Sequence, residues 1–269
     1  MNKNHNKNRK VAIVTGGSMG YKKGGPSIGG AISIRLAKDG YKIVVVDLLD
    51  MGNKTVEIIR NDGGEAIFIK ADVTLTKDIK KVLTVTKKEF GGLNCLVNCV
   101  ARYGAEMTKS VAEITEEEWN KTLGVNLNGY FKMAKYSIPL ILESGGGTII
   151  NISSVESFTA LPNFSVYSVS KAAIDALTRS LAVDFAPMIR TNSVCPGFVK
   201  IANSENNRSP QELKKWYTQI SKQYPMKKVC EVEEIASVAS FLAGKESSYI
   251  NGQTIIVDGG KTITDFHEF

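Results

Sequence analysis

Short apolar runs alternate with helical patterns almost from one end of this chain to the other, and that alternation limits the fold more than any other feature. Val11–Thr15, Lys42–Asp47, Ala66–Lys70 and the stretches 93–98, 148–152, 191–195 and 253–257 each read as a strand. Between the first two, Ile28, Ile32, Leu36 and Ala37 recur at helical spacing over 28–38. Further helices are expected near 53–61, 77–89, 166–185 and 231–242. Another is expected over 116–142, after the capping signal Thr115-Glu-Glu-Glu118. Strands that are apolar throughout, rather than at alternate positions, are buried on both faces. A parallel sheet covered by helices on both sides meets that requirement, so the pattern predicts a doubly wound α/β fold.

No internal repeat, low-complexity linker or shift in composition divides the chain. Residues 10–269 therefore read as one domain behind a basic N-terminal tail, 1–9. The segment of about 198–228 has no clear place in the sheet; it is polar, partly helical in pattern, and suited to a substrate loop. Of the net charge of +7, four charges come from Lys3, Lys7, Arg9 and Lys10. A basic face for nucleic acid is therefore not expected. No run of about 18 apolar residues predicts a membrane span, and the polar start lacks a secretory signal, so the expected location is cytoplasmic. Four cysteines do not form a disulfide framework in 269 residues. Cys95 and Cys99 have no histidine nearby, and the two histidines, His5 and His267, lie at the extreme ends. No metal site is expected. Most serine and cysteine hydrolase triads are excluded too, leaving the chemistry to other groups.

Those other groups gather at predicted strand ends. The first strand runs into Thr15-Gly16-Gly17, and the first helix opens at Ser27-Ile28-Gly29-Gly30. Such a turn lets backbone approach a pyrophosphate at a helix N-terminus, although it reads equally as a tight turn. Asp47 ends the second strand, where a carboxylate can take both hydroxyls of an adenosine ribose or simply cap the next helix. Asp72-Val73 follows the third strand and Asn98 ends the fourth. Tyr167 and Lys171 stand at i and i+4 in a helical pattern, so phenol and ammonium share a face. A nearby cation favours phenolate, which makes the tyrosine a usable acid or base. Ser154 closes the fifth strand at the same edge.

With these residues together, the sequence resembles the short-chain dehydrogenase/reductase family over roughly 10–260. The resemblance rests on Thr15-Gly16-Gly17 with Ile28-Gly29, Asp72-Val73, Asn98 and Asn126 within Val-Asn-Leu-Asn-Gly. It rests equally on Ser154, Tyr167-x-x-x-Lys171, Cys195-Pro196-Gly197 and Val257-Asp258-Gly259-Gly260. It implies a Rossmann domain and a nicotinamide-dependent oxidoreductase acting on a secondary alcohol or ketone. Tyr167 would be the general acid or base, and Lys171 would bind the nicotinamide ribose and depress the Tyr167 pKa. Ser154 would polarise the carbonyl, and Asn126 would hold a water in a proton relay. The cofactor set would be Gly16, Ser27, Ile28, Gly29, Asp47, Asp72, Val73, Asn98, Val100, Tyr167, Lys171, Pro196, Gly197 and Val199. NAD is expected over NADP because Asp47 would repel a 2′-phosphate, with Lys22 and Lys23 the groups that could reverse this. A homotetramer is also implied, built on the 116–142 and 166–185 helices and the last strand.

The chain departs from the family pattern in three places. An insertion within 18–26 puts Ser27 where a glycine is usual, Asn98-Cys-Val-Ala101 replaces Asn-Asn-Ala-Gly, and Ile201 stands where a threonine is usual. A 3-oxoacyl thioester reductase and a catalytically idle cofactor-binding regulatory protein are the alternative readings. Phe158, Phe164, Phe198, Trp216 and Tyr217 could form an apolar wall for substrate, or could pack the loop onto the domain.

Overall fold

The computed structural model of the protein describes residues 9–20, 25, 27–202 and 208–264, without the side chains of 105 and 107. The expectations placed on the N-terminal tail, on Lys22 and Lys23, on most of the inserted turn, on 203–207 and on both histidines lie outside these residues.

Seven parallel strands form one sheet: β1 (Val11–Thr15), β2 (Lys42–Asp47), β3 (Ala66–Lys70), β4 (Cys95–Asn98), β5 (Gly147–Ile152), β6 (Ile189–Pro196) and, after a two-stranded excursion, β9 (Thr254–Val257). The order is β3-β2-β1-β4-β5-β6-β9, so the winding reverses between β1 and β4. β7 (Val199–Lys200) and β8 (Cys230–Glu231) pair separately. The helices are α1 (Ile28–Lys38), α2 (Gly52–Asn61), α3 (Thr76–Phe90), α4 (Glu116–Leu123), α5 (Gly129–Glu143), α6 (Ser165–Phe185), α7 (Pro210–Ser221) and α8 (Val232–Ala243).

Successive side chains of a strand point to opposite faces, and the two cores follow that rule. Ala12 and Val14 of β1 join Ile43 and Val45 of β2 against α1, α2 and α8, through Ile32, Leu36, Val56, Ile59, Ile235 and Leu242. Val11, Ile13, Val44 and Val46 face the other way, onto Ile79 and Val82 of α3, Met133 and Ile141 of α5, and Leu181 of α6. Each fully buried aliphatic side chain contributes about 1.5–3 kcal/mol through removal from water. Strands apolar at every position are what two such cores demand.

The expected single helix over 116–142 is in fact two. Between α4 and α5 the chain makes a π-helical turn, Gly124–Asn128, closed by a hydrogen bond from Gly129 N–H to the carbonyl of Gly124. The turn coincides with a long-range contact: the side-chain amide of fully buried Asn126 holds the backbone of Arg102. Single π turns inside α-helices recur at functional sites.

Candidate active site

The C-terminal ends of the strands carry the site, at the reversal point where open α/β sheets bind ligands. β5 delivers Ser154, whose hydroxyl caps a short 3₁₀ turn, Val155–Ser157, by accepting from Glu156 N–H at 3.3 Å. α6 crosses this edge with Tyr167 and Lys171 on its buried face, 5% and 2% exposed. The Tyr167 hydroxyl bonds to Ser154. The Lys171 ammonium donates to the carbonyl of Ile152 at 2.8 Å and lies 5.5 Å from the Tyr167 ring centre. On its other side it lies 5.6 Å from the ring of Tyr130, whose hydroxyl also donates to Ile152 O, at 3.2 Å. Ser153 ties this end of β5 to α6 by donating to the carbonyl of Lys171 at 3.2 Å.

A second phenol enters from 102–107, a segment expected to bear on substrate specificity, though no sequence pattern assigns Tyr103 a catalytic part. The hydroxyl of Tyr103, in the loop after β4, lies 2.8 Å from that of Tyr167, with the rings 5.2 Å apart. Its loop is pinned on both sides. The amide oxygen of Asn126 accepts from Arg102 N–H at 2.7 Å, and the Asn126 amide donates back to Arg102 O at 3.3 Å. The Arg102 guanidinium donates to Glu106 at 3.2 Å, and Thr122 of α4 donates to the same carboxylate. Burial alone would raise the Glu106 pKa, but these donors hold it below the usual carboxylate range. No spacing rule points to Tyr103 or Glu106; only their position after the fourth strand could have drawn notice.

The resemblance implied a Tyr167 pKa depressed by Lys171; in the chain by itself two other influences dominate. Burial, reinforced by Tyr103, pushes the phenol well above its ordinary value against a lowering by Ser154. Lys171 is itself lowered by burial, from 10.5 to about 8.

At the β1 side, Gly16 has φ +64°, and a Cβ there would meet Val100 Cα at 2.9 Å. A Cβ on Gly29 would lie 2.1 Å from Gly16 O, so α1 packs directly on the turn. Ser27 caps α1, accepting from Gly30 N–H at 3.0 Å, with Ile28 opening the helix. Asp47 accepts backbone N–H groups on both oxygens, from Ser18 and Leu49, each at 3.1 Å. Asp72 Oδ1 accepts from the N–H and hydroxyl of Thr74, and Val73 is buried beside Gly129. Asn98 donates to Asn151 at 2.9 Å, and Asn151 donates to Thr178 of α6. The Asn98 Oδ1 is enclosed without a hydrogen-bond partner. Val100 O accepts from Tyr130 at 3.0 Å. Pro196 ends β6, Gly197 N–H continues onto Val257 O, and Val199 opens β7. Ile201 packs against the first core.

The five aromatics do not form one wall. Phe164 meets Tyr167 edge-on at 5.7 Å, whereas Phe198, Trp216 and Tyr217 stack on one another and hold α7 to the loop. Phe158 is exposed.

The chain matches the family model described as enoyl-(acyl carrier protein) reductase over residues 24–262. An uncharacterized oxidoreductase of Thermotoga maritima is 38% identical over 94% of this chain and 97% of that protein. The chain belongs to the short-chain dehydrogenase/reductase family. It is an NAD(P)-dependent oxidoreductase acting on CH–OH groups, and the reading as an idle regulatory protein falls away. A cyclohexanol dehydrogenase of Acinetobacter sp. is 32% identical over 95% of this chain and 96% of that one. The ligand-free aldohexose dehydrogenase of Thermoplasma acidophilum superposes with a TM-score of 0.84 at 32% identity, covering 97% of each chain.

Proposed function

We propose that this oxidoreductase interconverts a secondary alcohol and a ketone with NAD(H), and that Tyr167 moves the proton. The observation that carries this reading is half-buried Ser154 beside buried Tyr167 and Lys171, on adjoining ends of β5 and α6. The substrate oxygen would take the position now held by the Tyr103 hydroxyl, within reach of both Ser154 and Tyr167. Ser154 would donate to it and fix its orientation. In reduction the Tyr167 hydroxyl gives its proton to that oxygen; in oxidation the phenolate takes it back. Lys171, with Tyr130 behind it, would bind the nicotinamide ribose, and Asn126 would hold a relay water against the Arg102 backbone. When bound, the nicotinamide supplies or accepts the hydride at the carbon.

The remaining edge suits the rest of the dinucleotide: Gly16, Ser27, Ile28 and Gly29 toward the phosphates, Asp72 and Val73 toward the adenine, and Asn98 and Val100 toward the ribose. Pro196, Gly197 and Val199 would face the nicotinamide amide. Asp47 keeps spare lone pairs on oxygens already oriented by backbone donors, which favours two ribose hydroxyls over a phosphate. Lys70, the register partner of Asp47 on β3, is paired with Asp50 at 3.1 Å. A cytoplasmic homotetramer belongs to the same reading. Phe131, Leu142, Val169 and Val183 leave apolar surface on α5 and α6, and β9 is an edge strand with Ile256 exposed.

The test is a screen of NAD(H)- and NADP(H)-linked turnover on cyclohexanol, cyclohexanone and aldohexoses, with Tyr167→Phe alongside. The variant is expected to lose about 10²–10⁴-fold in kcat while NADH still binds by fluorescence. Wild-type kcat in Tyr167→Phe would remove the assignment.

A further inference from the structure

Next to Ser154 lies a cavity of about 990 Å³ that the proton chemistry does not require. Its floor is formed by Val155 and Glu156, the two residues after Ser154, and by Lys261, Thr262 and Thr264. Its roof is one face of α7, where Gln211, Lys214, Lys215, Thr218, Gln219 and Lys222 recur at helical spacing. A helix lying over a protein body ordinarily turns apolar residues inward. α7 does so through half-buried Leu213, Trp216, Tyr217 and Ile220, while its exposed residues, Lys214, Lys215 and Lys222 among them, border the cavity.

Lys214, Lys215 and Lys222 have no carboxylate within ion-pair distance among the described residues, whereas Lys200 and Lys228 nearby pair with Glu231 and Glu234. Lys261, a fourth cation in the lining, donates to Gln223 at 3.2 Å, lies 5.2 Å from the Tyr224 ring and acts on Glu156. Glu156 is the one acid lining the space among the described residues. One of its oxygens is enclosed without a hydrogen-bond partner, as is the Thr262 hydroxyl. Glu156 and Lys261 thus stand together in the lining, and the other cations come from α7.

We propose that this cavity holds the body of the substrate, and that the substrate carries an anionic group, such as a carboxylate, away from its reacting carbon. Lys214, Lys215 and Lys222 bind that group. The inference rests on Ser154 and Tyr167 being the reacting pair. The volume is at the upper end for a small-molecule site, which suits an extended substrate rather than a single ring.

The probes are oxo acids from 5-oxohexanoate to 9-oxodecanoate, each compared with its methyl ester. Binding to cofactor-free protein is measured by calorimetry, and turnover by NADH consumption. An exposed ammonium–anion contact is worth up to about fivefold, so two or three together can supply about tenfold. At least one acid is expected to bind tenfold more tightly than its ester at 50 mM salt, and the advantage is expected to shrink at 500 mM. Lys214→Gln/Lys222→Gln is expected to bring the acid to the ester's affinity with the melting temperature unchanged, since both side chains are exposed. Equal affinity of acid and ester in the wild type, including no affinity for either, overturns the proposal. So does an acid preference that survives in the double variant. Ester turnover lost in Tyr167→Phe, with no acid preference, removes the anion assignment alone and leaves the proposed function standing. Tight acid binding with turnover intact in Tyr167→Phe removes the reacting pair, and with it the role of the cavity as a substrate site.

Discussion

Lys171 should make the folded protein less stable than a neutral side chain of its size would. Its ammonium is 2% exposed, and burial lowers its pKa from 10.5 to about 8. At 1.36 kcal/mol per pH unit, the fold holds this charge about 3 kcal/mol less well than water does. The two aromatic faces 5.5 and 5.6 Å away return about 1 kcal/mol. Lys171→Met keeps the volume and removes the charge. The Ile152 carbonyl keeps only a share of the Tyr130 proton, which also reaches Val100 O. The variant is expected to be about 2 kcal/mol more stable at pH 7, which raises the melting temperature by about 4–8 °C. The pH dependence has a definite sign. Below pH 8 both folded and unfolded wild type carry the proton, and the penalty is complete. Between pH 8 and 10.5 the unfolded chain holds more protons than the folded one, so wild-type stability rises toward that of the variant. Melting curves at pH 7 and 9.5 on cofactor-free protein measure both effects. Activity should fall at least 100-fold in the same variant. A lower melting temperature for Lys171→Met at pH 7, or a gap that does not narrow at pH 9.5, would refute the buried-charge reasoning.

Tyr103→Phe removes a neighbour that raises the Tyr167 pKa, so the rising limb of kcat/KM for alcohol oxidation should move to lower pH. An unmoved limb would mean that the two phenols are not coupled during turnover. Gly16→Ala puts a Cβ against Val100 Cα at 2.9 Å on a backbone with φ +64°. It should cost about 1–3 kcal/mol and weaken NADH binding, and a melting temperature within 1 °C of wild type would contradict this. Asp47→Ala should lower the NADH-to-NADPH ratio of kcat/KM by tenfold or more. A wild-type preference for NADPH would show that another group sets selectivity.

The sheet was legible because its cause is written residue by residue. A strand packed on both faces must be apolar at every position, and Val11–Val14 and Ile43–Val46 are. Ser154, Tyr167 and Lys171 were legible because one helical period and one strand end bring them together without any long-range contact. The π turn was not, since nothing in Gly-Val-Asn-Leu-Asn departs from helical periodicity. It coincides with the buried amide of Asn126 meeting the Arg102 backbone, a contact between residues far apart in the chain. The parts of Tyr103 and Glu106 were missed for the same reason, because their partners come from α6 and α4. The lysine face of α7 looked like an ordinary solvated helix, and only the space beneath it distinguishes the two.

The turn at Gly124–Asn128 has a further consequence for how the chain tolerates length changes. A π turn holds one residue more than an α turn, so removing a residue such as Val125 would close the winding to the regular ladder. Such a change would keep Thr122 on one side and Met133 and Ile141 on the other in their present phases. Elsewhere in a regular helix the same deletion would swing everything beyond it by about 100°. The fold therefore has slack at this point, and the site has none. Asn126 would lose its hold on Arg102, and Tyr103 would be released from its place beside Tyr167. A shortened chain of this kind would fold and melt much as before, with its proton-transfer groups intact and the loop facing them adrift.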